Sequence, residues 1–426
     1  MEDRYGLPLS TKSPTAAAAY GCAMDGLLAA GSELVPGFEA ALALDDGFAL
    51  AEIGRARCLA TYGYAAPAKA SAVRARTLAV GTTRREQSHV EALALVVEGR
   101  GAEALPAIRQ HVAEFPRDAL VLQPATGIFG LIGFSGRLER EAEFLALMDG
   151  LAVHYGDDWW FNSIRAFSEV EGGRVADAER RVERSLEQMP HNGNAAHVRA
   201  HVFYELEQPE AGAEFLRRWL ASNSTMGLLR GHLSWHLALW ELGLGDAAAA
   251  WRLYDQEFGA PLVGRGPPTP PLNVLTDAAS WLWRAELVGE ERRDQEWERL
   301  AQLVDERYPR AGIPFADIHV AMVRARTGQV DAIATLRAEL ATLGQARPAC
   351  LTAATVAQGL AAFSKGDDEA AVPLLTQALP ENVRVGGSHA QRDVVDRTLL
   401  QALNRLGRTE AATAILASRP HLQHGS

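Results

Sequence analysis

The chain has 426 residues, of which 48% are hydrophobic and 22% are charged, a composition typical of soluble globular proteins. Its formal net charge of -11 and its pI near 5.6 argue against a nucleic acid or an anionic membrane as a partner. The three cysteines, Cys22, Cys58 and Cys350, show neither zinc-ligand spacing nor a disulfide framework. The chain shows no signal peptide and no apolar segment long enough to span a bilayer, so we expect a cytoplasmic protein.

A glycine followed by Arg, Asp or Gln recurs between segments of helical periodicity. Successive copies lie 37, 72, 83, 38 and 41 residues apart, and the pairs 208–209 and 289–290 divide the two long intervals. Upstream, Gly99 and Gly63 continue the spacing at intervals of 37 and 36 residues. A period of roughly 35–40 residues predicts an array of helical hairpins. The copies are Gly136-Arg137, Gly173-Arg174, Gly245-Asp246, Gly328-Gln329, Gly366-Asp367 and Gly407-Arg408.

No segment alternates as a β-strand, so the predicted fold class is all-α. The period indicates a tetratricopeptide-like superhelix, an α-solenoid of roughly ten repeats, in a single domain that covers residues 1–426. Each repeat consists of a helix A, the glycine turn and a helix B. Ser13, Thr83 and Ser388 are expected to cap helices, the last two through capping boxes. The B helices are predicted at 102–115, 175–189, 247–258, 330–343, 369–379 and 409–417.

The segment 264–271 interrupts this pattern with four prolines in eight residues. Such a density of proline is incompatible with a helix and favours a polyproline-type loop. The loop is interpreted either as a solvated connector or as a lid, because insertions in repeat proteins tend to fall on the binding face.

Two consecutive A helices carry the same pair of histidines. His197 and His201 are four residues apart, as are His232 and His236, and the two pairs are offset by 35 residues, which is one repeat. A spacing of four places each pair on one helix face. We therefore expect these four residues, the histidine patch, to lie together on the concave wall. The same row of helix-A positions is predicted to include Glu205, Trp235, Asp277, Ser280 and His319.

Three interpretations of the histidine patch stay open. The imidazoles are packing residues or a polar ligand-binding wall without chemistry, a proton-transfer site near neutral pH, or a site for a divalent metal such as zinc. In the second interpretation the catalytic groups are His201, His232 and His236. No cofactor or metal ligand is assigned, because no metalloprotease or nucleophile-elbow motif accompanies the histidines.

A second candidate site is GGSHAQRD at 386–393. Paired glycines followed by the start of a helix are typical of an anion-binding site. Arg392 and Asp393 would provide the charged side chains of this site. The alternative is that Ser388 and Gln391 only cap the helix while Arg392 and Asp393 pair locally.

Five segments of the chain resemble the tetratricopeptide repeat protein 38 family. They are PLSTKS (8–13), TRREQSHV (83–90), HVRAH (197–201), HLSWH (232–236) and GGSHAQRD (386–393). They run in the family's order over nearly the whole chain, although members more often carry Asn and Phe at His389 and Val394. The resemblance implies a single all-α tetratricopeptide-like superhelix and brings no agreed activity or catalytic residue with it.

The function expected from these features is binding. A concave pocket lined by His, Arg and Asp would hold a small molecule or a short peptide. If the chain is an enzyme, we expect a hydrolase or a lyase that uses histidine acid–base chemistry, with metal assistance as an alternative. The other hypothesis is a non-catalytic scaffold that binds a partner segment in its groove. Whether the chain forms a homodimer is left open by the sequence.

Overall fold

The computed structural model describes residues 1–223 and 227–418, which form 22 α-helices and no β-strand. None of these helices is both long enough and apolar enough to cross a membrane. The first eleven are α1 Pro14–Leu28, α2 Leu34–Leu44, α3 Ala49–Thr61, α4 Ala65–Ala79, α5 Arg84–Val97, α6 Gly101–Glu114, α7 Ala119–Leu122, α8 Arg140–Tyr155, α9 Trp159–Glu171, α10 Val175–Gln188 and α11 Gly193–Glu205. The others are α12 Pro209–Ser222, α13 Arg230–Gly243, α14 Ala247–Leu253, α15 Pro271–Leu287, α16 Asp294–Arg307, α17 Pro314–Arg326, α18 Val330–Gly344, α19 Pro348–Ser364, α20 Asp368–Ala378, α21 His389–Arg405 and α22 Thr409–Ser418.

The predicted all-α class, built from tetratricopeptide-like helical hairpins, is confirmed. Taken two at a time, the 22 helices give eleven pairs, close to the roughly ten repeats expected. The predicted B helices correspond to α6, α10, α18, α20 and α22, each within one residue at both ends, and to α14 at its start. The helix predicted at 247–258 ends as an α-helix at Leu253 and continues as one turn of π-helix over Tyr254–Phe258. The turn glycines Gly173 and Gly245 adopt φ of 80° and 88°, the left-handed conformation that ends a helix at low cost for glycine.

Side-chain caps start several helices where the sequence predicts them. The Ser13 side chain accepts from the amide of Ala16, and Ser388 and Gln391 form a complete capping box. The box predicted at Thr83 is only half formed. Thr83 accepts from the amide of Glu86, but the carboxylate of Glu86 accepts instead from the amide of Ser10 at 2.8 Å.

One predicted helix A is nearly absent. After the single turn of α7, residues 126–139 contain no regular helix. Pro124 lacks an amide hydrogen and ends the α-helical hydrogen bonding. Gly130 lies so close to the backbone at Thr126 that a side chain there would collide with it. Residues 264–270 form the non-helical connection that precedes α15, whose first residue is Pro271.

The part of the chain that the structure describes divides into two compact units. Unit 1 comprises residues 1–132, 142–198, 223 and 227–229, and unit 2 comprises residues 133–141, 199–222 and 230–418. Each unit has its own buried core, formed where its helices pack against one another. The single domain expected over 1–426 stays a prediction.

Candidate functional site

In unit 2, α21 packs against A helices that precede it by more than 100 residues. The Trp283 indole N–H donates to the Thr398 hydroxyl at 2.9 Å, and the Tyr204 hydroxyl donates to an Asp393 carboxylate oxygen at 2.6 Å. The capping box at the start of α21 fixes its first turn, and with it the position of Asp393. These contacts join α21 to α15 and to the part of α11 that belongs to unit 2.

A cavity of about 380 Å³ lies beside α21 in unit 2. Its walls come from the C-terminal parts of α11, α13 and α15 and from α21. Trp240 is held against α12, where Gly212 has no room for a side chain: a Cβ there would lie 2.5 Å from the indole ring. The apolar wall includes Phe203, Trp240, Leu287 and Leu400, and the polar wall includes Tyr204, His236, Arg284, Asp393 and Arg397. This size and mixture are typical of a site for a small ligand or a short piece of a larger one.

Arg284 is the most unusual polar group of the cavity. It is 5% exposed, and its guanidinium donates to two backbone carbonyl oxygens, those of Ala390 at 2.6 Å and Gln391 at 3.4 Å. Its Nε atom is buried without a hydrogen-bond partner, and no salt bridge joins it to any residue that the structure describes. Burial lowers the pKa of Arg284 to about 10, against the opposing effect of the nearby Asp393 carboxylate. A buried cation without a directly paired anion is costly.

Three members of the histidine patch lie together in unit 2. The His232 ring centroid is 4.8 Å from that of His236, which is 4.9 Å from that of His201. His232 donates through Nδ1 to Asp277 Oδ1 at 2.9 Å, in an environment where both side chains are buried. Of these residues, His236 lines the cavity. The arrangement provides a buried His–Asp pair directly behind a cavity-lining imidazole.

Trp235 and Ser280 support this pair. The indole of Trp235 stacks on the His232 ring at a centroid distance of 5.2 Å, and its N–H donates to the Ser280 hydroxyl at 3.2 Å. Both side chains are buried and neither lines the cavity. Their contacts hold the His232 ring in its orientation, whereas the sequence pattern predicted that both would bind the ligand.

The two other predicted histidines make further contacts within their own units. His197 belongs to unit 1, where its ring packs edge-on against Phe167 with the centroids 5.3 Å apart. His319 is 1% exposed and its Nδ1–H donates to the carbonyl oxygen of Phe315 at 2.7 Å. Burial lowers the pKa of His319 to about 4, so its imidazole is neutral at physiological pH.

The segment 386–393 contributes to a second cavity in unit 2. This cavity, of about 380 Å³, is lined by His389, Arg392 and Asp393 among others. Arg392 is already engaged, donating to Gly387 O at 2.6 Å and to Glu141 Oε1 at 2.9 Å. His389 donates through Nδ1 to Glu205 Oε1 at 2.7 Å, which places the predicted Glu205 in this network. A role for Arg392 in binding an external anion stays a prediction.

Four residues that dominate the cavity wall were not predicted from the sequence: Arg284, Arg397, Tyr204 and Trp240. Apart from His236, which lines the cavity, the predicted positions on the A helices stop about one helical turn short of it. Extending it by four residues from Ser280 reaches Arg284, and by four from His236 reaches Trp240. This i, i+4 continuation was the available signal for both residues.

No protein-family model matches the chain. Three solved structures are similar to it at low sequence identity and low TM-score. The P58(IPK) TPR domain has 14% identity and a TM-score of 0.24, over 92% of this chain and 89% of that one. Yeast Tom70 has 10% identity and a TM-score of 0.31, over 94% and 90%. Naa15/Naa10 bound to HypK has 13% identity and a TM-score of 0.23, over 94% and 68%. The tetratricopeptide-like class rests on the helix pairs of the chain itself.

Proposed function

We propose that the chain is a non-catalytic binding protein that holds the acidic end of a short partner segment, or a small acidic molecule, in the Arg284 cavity of unit 2. The observation that carries the proposal is Arg284 itself, a buried guanidinium on the cavity wall whose hydrogen bonds go only to backbone carbonyls. An anionic group that enters the cavity pairs with the Arg284 guanidinium and provides its counter-charge.

The apolar wall adds a second element of recognition. Phe203, Trp240 and Leu400 present hydrocarbon surface on the same cavity as Arg284. A ligand that joins an acidic group to an apolar side chain satisfies both walls. The cavity volume of about 380 Å³ fits one or two amino-acid residues, so a longer partner would place only its end inside. Helical-hairpin arrays commonly bind such segments of partner proteins.

Calorimetric titration with N-acetyl-leucine tests this proposal. The wild-type chain is expected to bind it, and Arg284→Met to bind it at least about tenfold more weakly, because a charged hydrogen bond is worth about 1.5–3 kcal/mol. Arg310→Met is the matched control, since the Arg310 side chain is 79% exposed and pairs with Glu339. Equal affinities of Arg284→Met and Arg310→Met would refute the role of Arg284.

Acid–base catalysis is the second candidate, favoured by the His232–Asp277 pair behind His236. Asp277 orients His232, and His236 is the imidazole that a bound ligand meets. Hydrolysis or lyase-type proton transfer is the reaction class that such a group serves. In this case His236→Gln retains ligand binding and abolishes turnover, whereas a pure binding protein shows no turnover in the wild type.

We also propose that the chain belongs to the tetratricopeptide repeat protein 38 family, on the segments 8–13, 83–90 and 386–393. A cytoplasmic location and a homodimer are further proposals. Light scattering coupled to size-exclusion chromatography tests the homodimer: a mass near 45.9 kDa indicates a monomer and twice that mass a dimer.

A further inference from the structure

Unit 1 contains a buried cluster that the sequence pattern did not predict. His89 lies on α5, His111 lies on α6, and Asp118 is the residue that precedes α7. His89 is 0% exposed, and His111 and Asp118 are each 3% exposed. One atom, Asp118 Oδ2, lies 2.9 Å from His89 Nδ1, 3.0 Å from His111 Nε2 and 2.8 Å from Arg85 Nη1. Three potential metal-ligating side chains therefore converge on one point.

The hydroxyl of Ser88 positions the ring of His111. Ser88 Oγ lies 2.7 Å from His111 Nδ1 and 3.0 Å from the carbonyl oxygen of Arg85. With Nδ1 engaged by this hydroxyl, the Nε2 atom of His111 faces Asp118 Oδ2 at 3.0 Å. The ring is therefore held with Nε2 directed at the carboxylate.

His89 presents its Nδ1 atom to the same carboxylate oxygen, at 2.9 Å. Its Nε2 atom is buried and has no hydrogen-bond partner among the described residues, so this side of the ring is not fixed by the protein. One ligand atom from each of His89, His111 and Asp118 lies within 4.8 Å of the other two, and all three side chains are buried. Such a convergence of three ligand atoms is what a bound metal ion requires.

We propose that His89 Nδ1, His111 Nε2 and the Asp118 carboxylate bind a divalent transition-metal ion such as Zn²⁺. Two imidazoles and one carboxylate are a ligand set that zinc favours. Ligand atoms at zinc-bonding distance of a tetrahedral ion are separated by roughly 3.3 Å, so the observed 2.9 and 3.0 Å widen by only a few tenths of an ångström. This site is independent of the function proposed for the cavity of unit 2.

The residues around the cluster suit a structural metal site. Ser88 fixes the ring of His111, and Arg85 holds the carboxylate of Asp118, as outer partners of metal ligands commonly do. Arg85 also donates to the carbonyl oxygen of Pro8 at 2.8 Å. The ion would therefore link α5, α6 and the start of α7 and stabilise the attachment of the N-terminal segment.

Zinc titration of the chelator-treated full-length chain tests the site. Native mass spectrometry is expected to show one equivalent of Zn²⁺, together with a higher melting temperature, and Co²⁺ to give visible d–d absorption of a nitrogen- and oxygen-ligated ion. His89→Ala and His111→Ala are expected to lose this equivalent. Ser88→Ala, which keeps all three ligands, is expected to bind zinc about 10–100-fold more weakly.

Two control variants separate this site from other histidines. His154→Ala removes an exposed histidine of unit 1, and His201→Ala disrupts the histidine patch. Both are expected to retain the zinc equivalent. A wild-type chain that binds no stoichiometric zinc would overturn the proposal, as would retention of zinc in Asp118→Asn together with its loss in His201→Ala. The wild-type result decides even if an alanine variant fails to fold.

Discussion

Tyr204 and Asp393 are 189 positions apart in the sequence and are joined by a hydrogen bond of 2.6 Å. Burial raises the pKa of Tyr204 well above its ordinary value, so its hydroxyl keeps the proton that it donates. The bond fastens α21 to the end of α11, and both residues line the Arg284 cavity. The cavity therefore depends on the packing of α21 against the end of α11, two elements of unit 2 that are far apart in the sequence.

The His232–Asp277 pair is predicted to contribute to stability. Asp277→Ala removes the acceptor of a buried N–H and is expected to lower the free energy of unfolding by about 2–4 kcal/mol. Asp277→Asn keeps a side-chain oxygen and is expected to lose less. Urea unfolding of the three proteins measures the difference. Equal stability of Asp277→Ala and the wild type would show that the bond is not formed in solution.

Asp317 predicts a loss of stability as the pH rises. Burial raises its pKa to about 7 in the folded chain, compared with 3.8 as the ordinary value. The folded state therefore resists the ionisation that the unfolded chain undergoes, and stability falls between about pH 4 and pH 7, by up to about 4 kcal/mol. Asp317→Asn removes this dependence while keeping an acceptor for the Gly312 amide. Denaturant unfolding at pH 5 and pH 8 measures the free energy of unfolding of both proteins. From pH 5 to pH 8 the wild type should lose more stability than Asp317→Asn, and equal losses in the two proteins would contradict the assignment.

His319 predicts the opposite dependence in acid. Its pKa is about 4 in the folded chain because burial disfavours the imidazolium, whereas the ordinary value is 6.5. The stability that it contributes is present above pH 6.5 and is lost as the pH falls through 4, by up to about 3 kcal/mol. His319→Asn retains a donor for the Phe315 carbonyl. Between pH 7 and about pH 4.5, the variant is expected to lose less stability than the wild type loses. Melting temperatures at these two values test it, and an unchanged acid sensitivity would count against it.

Gly387 is predicted to tolerate no side chain. Its φ is 80°, and a Cβ would lie 3.0 Å from Phe315 Cδ2 and closer still to the neighbouring ring carbon. Its carbonyl oxygen accepts from Arg140 and Arg392, each at 2.6 Å, so the backbone cannot move away freely. Gly387→Ala should destabilise the chain by about 2–4 kcal/mol. Gly366→Ala, at φ of 77° but with no atom within 4 Å of its Cβ, measures the conformational cost alone. Equal losses in the two variants would exclude the steric contribution.

Local chemistry made most of the fold predictable. The recurring glycines mark helix ends, and Ser388 with Gln391 marks the start of α21, because capping depends on residues within one turn. The near absence of a helix after α7 was signalled by Pro124, which cannot continue the α-helical hydrogen bonding. Helix existence follows from short-range patterns, whereas an irregular segment depends on what packs against it.

The cavity could be predicted only in part. The spacing of His232 and His236 identified the correct helix face, and their ring contact follows from it. Local spacing could not predict the contact between Arg284 and the N-terminal turn of α21, because Arg284 and Ala390 lie 106 positions apart in the sequence. Contacts of this length are decided by the packing of whole helices. The cluster at Asp118 was missed although its members are only 7 to 29 positions apart, because they lie on α5, on α6 and just before α7 and meet only when these elements pack.

The most direct measurement compares acids with their amides. The wild-type chain is titrated calorimetrically with N-acetyl-leucine and N-acetyl-phenylalanine, and then with the corresponding amides, which have the same shape without the charge. Because Arg284 is a buried cation without a paired anion, at least one acid is expected to bind at least about tenfold more tightly than its amide. Equal affinity of each acid and its amide, or no binding of any of the four, would contradict the assignment of this cavity to an acidic ligand.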